Sequence, residues 1–182
     1  MEKKFTIATF CLFIFIVICI GMSLYFKVFR KDRVLILYFS SDDVIKDVAK
    51  DIKKSTSGDL VEIEPTVKYS TEHTSWYNLA YDEYTNSSYP LIDNDLPDLS
   101  KYDVVYIGYP IWFNDMPRIM YSLFKKYDFK GTTIKPFYYS EDSKGSWTTG
   151  QIMIEEEKAR VSEGLLITNS DYNKELQEWL NK

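Results

Sequence analysis

The stretch "VLILYFSSDDVIKDVAKDI", residues 34–52, runs from a strand into a helix with space for only a short turn between them. "VLILYF" is a continuous apolar run of strand length, as expected for a strand covered on both faces. Val44, Ile45, Val48, Ala49 and Ile52 then recur at the spacing of one helix face, and "STSG" (55–58) closes that helix. The turn is Ser40, Ser41, Asp42 and Asp43. Small hydroxyl residues between a strand and a helix outline an anion site, because the free N–H groups of a helix start favour negative charge. The two aspartates suggest another use of the same field. A carboxylate there caps the helix from within the chain and needs no ligand.

The same alternation continues outward. "LVEIEP" (60–65) alternates apolar and acidic residues, like an outer strand stopped by Pro65, and "SWYNLAYDEYTN" (75–86) makes a short aromatic helix inside a long connection to Leu99. "VVYIGYP" (104–110) is a second buried strand. Pro117 suits the first turn of a helix that turns Ile119, Met120, Leu123 and Phe124 inward. "TIKPFYYS" (133–140) gives a fourth strand, 147–160 a fourth helix, "GLLIT" (164–168) a fifth strand and 171–182 a last helix. Strands alternating with helices predict an α/β fold, a doubly wound parallel sheet with helices on both faces, over 34–182. In such a sheet ligands bind beyond the carboxyl ends of the strands. The loops 40–44, 109–115 and 139–147 are therefore expected to meet at a site.

Residues 1–33 have a different character. No charge falls between Phe5 and Phe26, and 22 residues would make a helix of about 33 Å, enough to cross a bilayer core. A cleavable signal peptide would have a shorter apolar region and a small-x-small site, which "MSLYFKVF" does not offer. The reading is an uncleaved single-pass membrane anchor, with Lys27, Arg30, Lys31 and Arg33 placing the following domain in the cytoplasm. Residues 1–33 hold six of the 22 basic residues and two of the 27 acidic ones, which leaves 16 basic against 25 acidic beyond them. So acidic a domain excludes nucleic acid as a partner. Its surface charge serves solubility or steers a basic protein partner. Cys11 and Cys19 both lie in the apolar run, so the domain has no thiol chemistry, and one histidine, His73, excludes a multi-histidine metal site. His73 itself reads as a solvated loop residue.

"VLILYFS", "YDVVYIGYPIWF", "DMP", "YDFKGTTIKPF" and "EGLLITNSD" together resemble the flavodoxin-like family, in particular its short single-domain branch. The resemblance implies a five-stranded doubly wound sheet, flavin mononucleotide (FMN) as cofactor, and electron transfer or quinone-type reduction. It implies cofactor contacts from Ser40 and Ser41 in the first loop and from Tyr109, Pro110, Ile111, Trp112 and Phe113 in the second. In the third loop it implies contacts from Ser140 and Gly145. The family's first loop follows S-x-T-G-N-T, and here Asp42, Asp43, Val44 and Ile45 replace the last four residues. A carboxylate ~4 Å from a phosphate costs roughly 4 kcal/mol at an effective dielectric of about 20. The loop thus predicts weak affinity for FMN. The alternative function is a non-catalytic binding module that has lost its cofactor and holds a protein partner at the membrane.

Overall fold

The computed structural model describes residues 12–22, 31–40, 43–70, 72–142 and 147–182. The chain divides into two units, Met1–Asp32 and Arg33–Lys182. In the first, residues 12–22 form helix α1, whose apolar side chains are exposed. Among the described residues no helix is long and apolar enough to cross a membrane. The expected span of 5–26 runs outside the described residues at both ends.

The second unit is the α/β domain. Its strands are β1 (Val34–Tyr38), β2 (Asp59–Glu62), β3 (Val104–Pro110), β4 (Thr133–Tyr139), β5 (Arg160–Val161) and β6 (Leu165–Ile167). The helices are α2 (Asp43–Thr56), α3 (His73–Thr85), α4 (Arg118–Lys126), α5 (Thr148–Glu155) and α6 (Asn173–Leu180). All strand pairs are parallel, and the order is β2-β1-β3-β4-β5, with β6 also on β4. This is the doubly wound order in which the chain leaves β1 toward one edge and returns to β3 on the other side.

The strands' two-residue period sorts the core into two layers. Leu35, Leu37, Val105, Ile107 and Tyr109 face the side covered by α3, α4 and α5, in a cluster with Ile119, Leu123 and Phe129. Ile36, Tyr38, Tyr106 and Phe137 face the other side, against Ile45, Val48 and Ile52 of α2 and Leu176 and Trp179 of α6. Gly108 lies within β3, where a Cβ would run into the ring of Phe137 on the neighbouring strand.

One expected element changes form. The fifth strand is two pieces, β5 and β6, and β5 begins at Arg160, the last residue of the stretch read as a helix over 147–160. Ser162 N–H donates to the Ile134 carbonyl and Ser140 N–H donates to that of Ile167. Even-numbered residues of β4 therefore face this outer ladder, and Pro136 has no N–H to offer it. The pairing stops at Ile134–Val161 and resumes at Phe137–Leu165.

Candidate functional site

The carboxyl ends of β1, β3 and β4 converge at the point where strand order reverses. Pairing continues past the strand ends, with Phe39 N–H on the Gly108 carbonyl and Ile111 N–H on that of Tyr139. These bonds bring the first, second and third loops to one edge. Between them opens a cleft of about 680 Å³, within the size range of small-molecule sites. Pro110, Ile111 and Trp112 line one side, and Tyr139, Ser140, Glu141 and Asp142 another. The third wall is Ser70, His73 and Trp76, from the start of α3 and the segment before it. A second hollow of about 350 Å³ shares Ser70 and Trp76 and reaches Phe39, Ser40, Glu62 and Glu64.

The second loop is held tightly. Trp112 and Asp115 exchange backbone hydrogen bonds at 2.8 Å in both directions, and φ is +51° at Phe113 and +60° at Asn114. This is a two-residue hairpin with both central residues left-handed, a conformation that favours Asn-Gly and is costly for Phe. Three contacts hold it. The Phe113 ring packs on Tyr77, Tyr81 and Tyr84 of α3, at centroid distances of 5.4, 5.6 and 5.3 Å. The Trp147 indole N–H donates to the Asn114 carbonyl at 2.8 Å, tying the third loop to the second. Buried Asp115 accepts from the Met116 N–H (2.7 Å), the Tyr121 hydroxyl (2.9 Å) and the Arg118 guanidinium (3.3 Å). Burial, and after it the proximity of Asp115, pushes the Tyr121 phenol well above its usual range.

Trp112 sits within a nest of rings. Phe39, Tyr69 and Trp76 meet it edge-on, with centroids 5.3, 5.1 and 5.0 Å away. It lines the cleft while being only 8% exposed. The Tyr69 hydroxyl donates to Glu83 at 2.6 Å, which locks the segment before α3 to that helix. Burial raises the Glu83 carboxyl above the ordinary range, and this bond partly offsets the rise.

The family model described as Flavodoxin matches residues 33–182. The chain belongs to the flavodoxin family. Presumed flavoproteins from Bacteroides eggerthii and Bacteroides uniformis, each 27% identical to the chain, share its fold with TM-scores of 0.69 and 0.70. The alignments cover 82% and 84% of this chain and 96% and 100% of theirs. A flavoprotein from Lactobacillus acidophilus, solved in complex with FMN, superposes with a TM-score of 0.66 at 19% identity, over 82% of this chain and 99% of that one. No curated protein matches the chain.

The flavodoxin domain brings Pro110, Ile111, Trp112 and Ser140 to the main cleft and Ser40 to the adjoining hollow. Tyr109 is fully buried, its hydroxyl 2.9 Å from that of Thr148 and its ring stacked on Tyr138. Phe113 packs on α3, away from the cleft. Ser41, Asp42 and Gly145 lie outside the described residues. His73, read as a loop residue, instead opens α3, lines the cleft and stacks on Tyr77 at 6.2 Å. Nothing in the spacing of residues 65–99 placed Trp76, Tyr69 and His73 at the cleft. Their signal was composition, an aromatic-rich helix in an otherwise irregular connection.

The cleft's walls mix aromatic side chains (Trp76, Trp112, Tyr139) with polar and acidic ones (Ser70, Ser140, Glu141, Asp142), and among the described residues the buried indole N–H of Trp76 has no hydrogen-bond partner. At the start of α2, Asp43 stands in the first turn, and Ile45 is wholly buried against the sheet.

Proposed function

We propose that this protein is a membrane-tethered flavin-binding protein that passes electrons to a redox partner or a quinone-type acceptor. The observation that carries the reading is the cleft at the strand-order reversal, floored by Pro110, Ile111 and Trp112. FMN is the cofactor that family membership suggests, and bound flavin would supply one- and two-electron redox chemistry. The chain's own residues position and screen the ring. Trp112 and Ile111 offer an apolar face, the fixed 112–115 hairpin keeps that face in place, and Trp76 offers a hydrogen-bond donor. Glu141 and Asp142 on the rim set a negative field that opposes added negative charge in the cleft.

The apolar run 5–26 and the basic residues after it support a single-pass anchor with the domain in the cytoplasm. The full-length protein, expressed in flavin-replete cells and extracted in mild detergent, should be yellow and release a flavin on denaturation. A colourless protein that takes up no added flavin would favour the cofactor-free binding module. Resistance of the membrane-bound protein to high-salt washing tests the anchor, and release by salt alone would refute it.

A further inference from the structure

We propose that the cleft selects a flavin without its phosphate, of the riboflavin class, over FMN. This rests on the flavin-binding reading above and specifies which flavin that site takes. Three features of the described residues carry it. First, the hydroxyls of the third loop already serve the loop's own carboxylates. Ser140 donates to Asp142 at 2.8 Å and Tyr139 donates to Glu141 at 3.1 Å, so the donors on this wall turn toward fixed negative charge. Second, the start of α2 already carries a negative charge. Asp43 places a tethered carboxylate in the first turn, where a bound phosphate would otherwise gain from the helix end. Ile45 cannot contribute, because it is fully buried with Val48 and Ile52 in the layer beneath the sheet.

The third feature is an unmet demand for a neutral partner. The Trp76 indole N–H is buried without an acceptor, although its ring walls both the cleft and the adjoining hollow. A buried donor left unpaired is costly, and a ligand carbonyl oxygen placed beside it would satisfy it. An isoalloxazine has such oxygens and carries no charge in its oxidised form. The adjoining hollow repeats the pattern, its lining holding two carboxylates, Glu62 and Glu64, and one basic side chain, Lys68. The site thus rewards a neutral planar ligand with carbonyl groups and penalises a dianionic tail.

The test is a fluorescence titration of riboflavin and FMN against the full-length protein in detergent micelles, at low and high salt. Riboflavin should bind about tenfold more tightly than FMN at low salt. Added salt should narrow the gap by improving FMN binding, because it screens the carboxylates. Asp43→Asn, Glu141→Gln, Asp142→Asn together should raise FMN affinity by a larger factor than riboflavin affinity, and an equal change in the two would overturn the role of these charges. A riboflavin preference below about threefold would overturn the selectivity while leaving the flavin reading intact. Binding of neither flavin would overturn both. Trp76→Phe should weaken the two flavins by equal factors, since it removes a donor to the ring they share.

Discussion

At the scale of single residues, the second loop depends on Asp115 more than on any residue the sequence marked out. Its carboxylate answers a backbone N–H, a phenol and a largely buried guanidinium at once. Arg118 is further held between the rings of Tyr84 and Tyr121, 4.9 and 5.1 Å from its carbon, so it cannot swing into water when its partner is lost. Asp115→Ala should therefore destabilise the domain by about 3–5 kcal/mol, the cost of stranding a buried charge, read from chemical unfolding. A loss under about 1 kcal/mol would mean that the pair is effectively solvated. Glu156 offers a pH readout. Burial raises its carboxyl to about 7, against 4.5 for a free glutamate. The folded state then holds the proton more tightly than the unfolded chain. This contribution to stability is complete below about pH 4.5 and is lost as pH rises through 7. Glu156→Gln should flatten that part of the stability–pH profile and stabilise the domain at pH 8 by on the order of 1–2 kcal/mol, allowing for solvent screening. An unchanged profile would place the carboxyl in water. Neither residue was legible as special in the sequence. Asp115 follows a string whose aromatic residues draw attention, and Glu156 sits in a run of three glutamates that reads as a solvated face.

At the scale of elements, the strands and helices were legible because each has one dominant cause. Continuous apolar runs made β1 and β3, one-sided apolar spacing made α2 and α4, and neither cause needed knowledge of the neighbours. The fifth strand was harder because its break originates elsewhere, in Pro136 of the adjoining strand, and no local pattern at residues 160–167 announces it. The cleft was half legible for the same reason. Loops after β1, β3 and β4 must meet at the reversal of strand order, whereas the wall from α3 depends on how a long connection folds back. Gly108 is a case where element packing, not backbone freedom, dictates the residue. β3 and β4 can lie side by side with Phe137 between them only if position 108 lacks a side chain. Gly108→Ala should cost about 1–3 kcal/mol through overpacking. Pairing it with Phe137→Leu should recover part of that loss, so that the two effects combine to less than their sum. Strict additivity in a double-mutant cycle would show that the two positions do not compete for space.

At the scale of the whole molecule, the question is whether the domain needs the segment before it. Among the described residues, both core layers draw their members from beyond residue 33, from Leu35 and Ile36 to Tyr138, Ile152 and Trp179. Arg33 also belongs to this unit, since its N–H donates to Asp103 at 2.9 Å and its carbonyl accepts from the Asp103 and Val104 N–H groups. A fragment beginning at Arg33 keeps these bonds and every strand pair of the sheet. Cutting after Val34 would instead remove the first pair between β1 and β3. Residues 33–182 expressed alone should be soluble and show mixed helix and strand by circular dichroism. They should unfold in one cooperative transition, since the two layers share the sheet between them and neither can persist when it opens. Beginning the fragment at Leu35 should lower the midpoint by removing the Arg33 contacts and the edge of β1. A fragment 33–182 that aggregates, or that melts without a cooperative transition, would show that residues 1–32 or a bound partner belong to the folding unit. Equal midpoints for the two fragments would show instead that the Arg33–Asp103 junction adds nothing to the fold.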